Sequence, residues 1–294
     1  MKMKGFSIDP RGWCASVIVG ASLMVAAQPA QSIPVDLELI LATDTSGSVD
    51  ATDFALRRSG IEAAFRNGSI ISAIENGVIG SIAVALWDFG TNVGVAVDWT
   101  QISDAASSNA FADAVAAAGR LGGGGDGQAN MLRMAATAIG ANNFEGTRVI
   151  VDITSEGVQS GEGCVFNSPD CQATRDARDQ FLAAGGSAVN AIWMDDRDFF
   201  GLDPTDQVNA FEYGALSVIG GTDAFQVFAE TNQDFVVAIQ DKLIREITPD
   251  PDPDPCTETG GVCEIPEPGG LGGLALFGLA LIGLGLLQRR RLTT

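Results

Sequence analysis

Asp44, Ser46 and Ser48 stand two residues apart in the run Asp44-Thr45-Ser46-Gly47-Ser48, directly after the apolar stretch Val35–Thr43. On a tight turn one carboxylate and two hydroxyls can face a single point. Such oxygens are hard ligands, suited to Mg²⁺, Mn²⁺ or Ca²⁺. The same residue types also cap helices, so the run has a plainer use at the start of the helix that follows it. Other chemistries are excluded at once. The 294-residue chain has no histidine, which removes Ser-His-Asp and Cys-His catalysis, His-ligated zinc and a histidine base. Gly122–Gly127 fits G-x-G-x-x-G, but it follows a helical pattern rather than a strand and so does not predict a dinucleotide site.

The elements that must carry this turn follow from hydrophobic pattern. Val35–Thr43 reads as a buried strand, and Asp50–Phe65 as a helix with Phe54, Ile61 and Phe65 on one face and Asp50 and Asp53 at its N-terminus. Ser81–Trp87 and Val93–Trp99 read as a hairpin; Trp87 and Trp99 are core candidates rather than a binding platform. Ser103–Ala118 and Ala129–Ile139 read as helices, and Arg148–Ile153 as a strand. Asp176–Ala184 is helical, Ala188–Trp193 a strand, and Phe225–Phe228 a sixth short strand. Thr231–Ile247 closes the pattern as an amphipathic helix with Thr231 as N-cap and Phe235, Ile239 and Leu243 on one face. Strands alternating with helices predict an α/β domain: a doubly wound, mostly parallel six-stranded sheet with one antiparallel edge strand and helices on both faces. In such sheets sites form at the carboxyl ends of strands, where Asp44 falls. Asp152, inside a strand pattern, is either a buried acceptor supporting the site or a solvated strand end. Asp195, Asp196 and Asp198, with Arg197, follow a strand end and read as a solvated acidic loop rather than a second ion site.

The formal charge of −20 repels nucleic acid and anionic lipid. Residues 1–32 read as a secretory signal: Lys2, Lys4 and Arg11 precede the apolar run Val17–Ala27, and Ala27, Ala30 and Ser32 offer cleavage points. Residues 33–248 form the folded domain. Residues 249–264 are a stiff Pro/Asp-rich linker ending in the pair Cys256/Cys263. With Cys164/Cys171, these cysteines suggest local disulfides in an oxidising compartment. Residues 265–294 place Pro266-Glu267-Pro268 before an uncharged span, Gly269–Leu287, close to the ~20 residues of a membrane helix, and then Arg289, Arg290 and Arg291. This order resembles the PEP-CTERM sorting signal. The resemblance implies a Gram-negative source, processing by an exosortase, transient anchoring in the inner membrane, and delivery to the envelope or extracellular matrix.

Asp-x-Ser-x-Ser after a first strand resembles the metal-ion-dependent adhesion site of von Willebrand factor type A domains. Val151–Gly157, Arg175–Gly186, Val218–Gly221 and Asp234–Ile247 are similar to a secreted bacterial branch of unknown function. The resemblance implies that Asp44, Ser46 and Ser48 are metal ligands. Where the family has a threonine in a glycine-containing loop, this chain offers Asp126; where it has Asp-Gly after the fourth strand, this chain has Glu156-Gly157. Three carboxylates then replace two. They should strengthen the hold on Mg²⁺, Mn²⁺ or Ca²⁺ and leave the ion a weaker acceptor for a partner's carboxylate. Tighter Mg²⁺ binding by Asp126→Thr would contradict this. The implied function is a non-enzymatic, divalent-dependent adhesion module whose partner is an acidic protein or polysaccharide group. The alternatives are a surface scaffold with a degenerate site and, more remotely, a metal-dependent hydrolase with Glu156 or Asp126 as base.

Overall fold

The computed structural model describes residues 32–165, 168–194, 210–229 and 232–248. Within them a mixed seven-stranded sheet is built from β1 (Ile33–Asp44), β2 (Ile82–Phe89), β3 (Val93–Ile102), β4 (Phe144–Ser155), β5 (Ala188–Met194), β6 (Gly220–Gly221) and β7 (Gln226–Ala229). The order is β3-β2-β1-β4-β5-β6, with β7 also paired to β5. β1 runs parallel to both β2 and β4, and β5 parallel to β4 and β7. β3 is the antiparallel edge. The central strands β2 and β5 are buried along their whole length, as a sheet covered on both faces requires.

One face is covered by α1 (Ala51–Phe65), α2 (Gly68–Glu75), α3 (Ala105–Ala117) and α7 (Asn232–Ile247). Leu37, Leu39, Leu41, Phe65, Phe111, Phe235, Ile239 and Leu243 lie in the core there, with the Phe65 and Phe111 rings edge to face at 4.6 Å. The other face holds α4 (Gln128–Ala138), α5 (Gln172–Ala183) and the short α6 (Ala210–Tyr213), over Ile40, Trp87, Val151, Ile153 and Trp193. Gly60 lets α1 lie against α7: a Cβ there would meet Phe235 Cε1 at 2.8 Å.

α1 begins where the sequence places it. The Asp50 carboxylate accepts from the backbone N–H groups of Thr52 at 2.6 Å and Asp53 at 2.9 Å. Those donors, Asp53 first, hold its pKa below the ordinary carboxylate value. Asp104 and Ser107 form a capping box at the start of α3.

The architecture matches the expected one with four corrections. A seventh strand, the two-residue β6, pairs antiparallel with β5; two glycines carry no side-chain pattern from which to read it. α2 is an element the sequence pattern did not announce, because it is short and opens on Asn67-Gly68, Asn67 accepting from Ser69 N at 2.8 Å. β4 starts at Phe144, four residues earlier than Arg148, and α5 at Gln172 rather than Asp176. Trp87 is buried and Trp99 half-buried against the same cluster, as core residues. Cys164 and Cys171 form a disulfide. The signal, the Thr231 cap, the acidic loop at 195–198, the linker with Cys256/Cys263 and the sorting tail lie outside the described residues. Among the described residues no helix is long and apolar enough to cross a membrane.

Candidate functional site

The switch point of the sheet lies at β1, which has β2 on one side and β4 on the other. Four connections meet at its carboxyl end: the β1–α1 turn, the β2–β3 turn, the glycine loop before α4 and the β4–α5 loop. Gly47 N donates to Gly124 O at 2.7 Å, and Thr91 N to Gly123 O at 2.8 Å. Thr45 Oγ1 donates to Leu121 O at 2.5 Å and sits where a Cβ on Gly122 would fall, 2.6 Å away. Gly122 has φ +84°, a conformation L side chains avoid. The glycine run therefore lets its backbone fold directly onto the Asp44–Ser48 turn.

This folding brings all five predicted site residues to one place. Asp44 is fully buried; its Oδ1 accepts from Ser46 N at 2.8 Å and its Oδ2 from Ser155 Oγ at 2.7 Å. Ser46 Oγ and Ser48 Oγ are 3.1 Å apart. Asp126 is held from both sides of its peptide: its N–H donates to Ser160 Oγ at 2.9 Å, and its carbonyl accepts from Ser160 N at 2.8 Å. Its carboxyl faces Asp44 and Ser46. Burial, then the neighbouring Asp44 carboxylate, pushes its pKa up to about 9. Glu156 is buried beside Ser48, and its pKa is also raised, by burial first, against the pull of Arg57.

Sequence reasoning missed several residues that fix this geometry. Arg57 is 1 % exposed; its Nη1 donates to Asp44 O at 3.1 Å and its Nη2 is ion-paired with Glu156 Oε2. The signal was present, since Arg57 lies three residues after Phe54 and four before Ile61, on the apolar face of α1, where a charge requires a partner. Gln128 bonds Gly157 O at 3.0 Å, and Arg120 Nη2 holds the carbonyls of Thr45 and Ser46 at 3.0 and 2.8 Å. Gly157 is needed for the approach of Asp126: a Cβ would meet Asp126 Oδ1 at 2.9 Å. Gly157→Ala should therefore displace the Asp126 carboxyl and cost about 1–3 kcal/mol as an overpacking change. Urea denaturation measures this, and an unchanged midpoint would show that the contact is slack.

Asp152 does not support the site. It is buried, but on the α1/α7 face it pairs with Lys242 Nζ at 2.6 Å. Lys242 lies 90 residues on, which no local pattern announces.

Among the described residues no three His, Cys, Asp or Glu side chains make a metal cluster by themselves, and Glu156 is drawn toward Arg57. The set at the switch point is mixed: carboxylates of Asp44, Asp126 and Glu156 with hydroxyls of Ser46 and Ser48. Asp126 Oδ1 and Glu156 Oε1 are buried without a hydrogen-bond partner. Unpaired buried carboxylate oxygens are costly and call for a proton or a cation. Hard oxygen donors with two such orphans fit a divalent ion.

A family model described as protein of unknown function (DUF1194) matches residues 34–251. No curated protein sequence matches the chain. Among solved structures, the open conformation of the pilus adhesin SpaC from Lactobacillus rhamnosus GG is similar with a TM-score of 0.50 at 16% identity, over 73% of this chain and 30% of that one. A von Willebrand factor type A structure from Catenulispora acidiphila gives 0.48 at 13% identity, over 73% and 43%. Proximal thread matrix protein 1 of the mussel byssus, with a zinc-occupied MIDAS motif, gives 0.47 at 14% identity, over 74% and 49%. The chain spans less than half the length of each of these structures, and the likeness concerns the fold.

Proposed function

Since the chain belongs to the DUF1194 family and carries a von Willebrand A-like fold, we propose that it is an exported binding module whose switch-point site holds a divalent cation and uses it to grip an acidic group of a protein or polysaccharide. One observation carries this reading: three carboxylates and two hydroxyls meet at the carboxyl end of β1, with two buried carboxylate oxygens lacking partners. Asp44, Ser46, Ser48, Asp126 and Glu156 would hold the ion, taken as Mg²⁺ with Mn²⁺ and Ca²⁺ as alternatives. The ion would supply a positive acceptor for an incoming carboxylate. The chain's own residues position the donors: Ser155 orients Asp44, Ser160 anchors Asp126, and Arg57 restrains Glu156.

The fold shared with an adhesin and a matrix protein supports binding without turnover, and the Cys164–Cys171 disulfide supports an oxidising, exported location. Surface placement through the C-terminal sorting signal and an exosortase belongs to this same reading. A second reading is favoured by the Arg57–Glu156 pair, which already neutralises one carboxylate: a matrix scaffold whose site needs no ion. Polygalacturonate immobilised on a sensor chip separates them. Retention in Mg²⁺ or Mn²⁺ and release by chelator is the expected result. Retention in chelator favours the scaffold, and cleavage of the polymer would mean a hydrolase.

Proton competition gives a further expected outcome. With its pKa near 9, Asp126 carries a proton at pH 7 in the ion-free protein, and a cation must displace it. Ion affinity should rise by about tenfold per pH unit between pH 6 and 9, then level off. Calorimetry in two buffers of different ionisation enthalpy should find about one proton released per ion. Binding independent of pH over this range would mean that Asp126 is not a ligand.

A further inference from the structure

We infer that Arg57 is a built-in counter-charge that matches the site to a divalent rather than a trivalent cation; this rests on the reading that the site holds a cation. Arg57 is fixed between two elements of the site. It projects from the second turn of α1, 1 % exposed, and its guanidinium bridges two of the converging elements: Nη1 to the carbonyl of Asp44 at 3.1 Å, and Nη2 to Glu156 Oε2. Such a buried, doubly held guanidinium cannot swing to solvent without leaving both the carbonyl and the carboxylate unpaired.

Its neighbours do not share this role. Arg58 is engaged with Asp88 at 2.6 Å. Arg120 is exposed and bonds main-chain carbonyls, so water screens its charge.

The formal charges of Asp44, Asp126 and Glu156 together with Arg57 come to two negative. A divalent ion makes the buried site neutral, whereas a trivalent ion leaves it with an unpaired positive charge. Without Arg57 the site is three negative, and the balance reverses. Charge mismatches weigh heavily at buried positions, where the effective dielectric is low. Arg57 also occupies Oε2 of Glu156, leaving the orphaned Oε1 as the oxygen free to face an ion.

The test is calorimetric titration of the purified full-length protein with Mg²⁺ and with La³⁺, for wild type, Arg57→Met, Glu156→Gln and the double variant. Arg57→Met should raise the ratio of La³⁺ to Mg²⁺ affinity by about tenfold or more. The double variant, again two negative, should return the ratio to within about threefold of wild type. An unchanged ratio in a folded Arg57→Met protein overturns the inference, because a merely structural role would weaken both ions alike. Should Arg57→Met not fold, the decisive comparison is the double variant against Glu156→Gln. Removing Arg57 in that background must tighten Mg²⁺ binding, and equal affinities overturn the proposal. Wild type that binds neither ion refutes the ion-binding reading itself, a result distinct from wild type that binds while its ratio ignores Arg57.

Discussion

Lys242→Met should lower the stability of the domain by about 3–5 kcal/mol at neutral pH, the typical cost of removing one partner of a buried ion pair. Lys242, Asp152, Glu246 and Asn190 are each about 1 % exposed, between α7 and the sheet. The ammonium is 2.6 Å from Asp152 Oδ1 and also paired with Glu246 Oε1, to which Asn190 Nδ2 donates at 2.7 Å. Without the lysine, two carboxylates share an apolar layer. The pH dependence follows from Asp152, whose pKa is pushed up to about 7 by burial first and by Glu246 second, with Lys242 pulling it down. A carboxyl with a raised native pKa binds more protons in the folded than in the unfolded state, so its contribution to stability falls as pH rises from about 4 through 7. In the variant the downward pull is gone, and the fall continues to higher pH. The deficit should thus be smaller at pH 5, where the Lys242–Glu246 pair is still lost, than at pH 8, where both pairs are lost. Urea denaturation at the two pH values checks this; a deficit independent of pH would mean that Lys242 does not act through Asp152.

Arg58→Met should cost a comparable ~3–5 kcal/mol and also loosen the candidate site. Asp88 is fully buried at the end of β2, with Oδ1 on Arg58 at 2.6 Å and Oδ2 accepting from Leu121 N at 2.9 Å, where the chain enters the glycine loop. Burial raises its pKa, and Arg58 is the main influence opposing that rise. Once the guanidinium is lost, Asp88 takes up a proton or moves, and the anchor of the glycine loop is disturbed. The double variant Arg58→Met/Asp88→Asn leaves neither charge buried and should recover most of the loss. Denaturation midpoints for both proteins decide the matter, and a double variant as unstable as the single one would contradict the ion-pair account.

What could be read in the sequence was what local pattern encodes. The apolar run Leu39–Ala42 of β1 leads to Asp44 because a covered parallel strand stays largely apolar until it reaches the pole where loops begin. Asp50 announced α1, and alternating strands and helices announced the layers. Asp126 and Glu156 entered through a family resemblance, and the structure brings both to Asp44. The pairings that cross the chain were not legible. Asp152 gave no sign of Lys242, since charge complementarity across a sheet leaves no mark at either end. Arg57 could have been suspected from its place among Phe54, Ile61 and Phe65, but not that its partner would be Glu156. The glycine run suggested a loop, yet its use, laying backbone onto the Thr45 hydroxyl, depends on a neighbour 77 positions earlier in the chain.

The central claim is that the oxygens gathered at the end of β1 bind a divalent ion. A thermal melt of the purified protein in chelator and in Mg²⁺, Mn²⁺ and Ca²⁺, beside Asp44→Ala, tests it most directly. An ion at ~100 times its dissociation constant stabilises the fold by ~2.7 kcal/mol. For a domain of this size that is a rise in Tm of roughly 5–11 °C. The account predicts that rise in wild type with at least one of the three ions and its loss in Asp44→Ala. A well-folded wild type whose Tm ignores all three ions would contradict the account, leaving Arg57 and bound protons as the charges that neutralise the site.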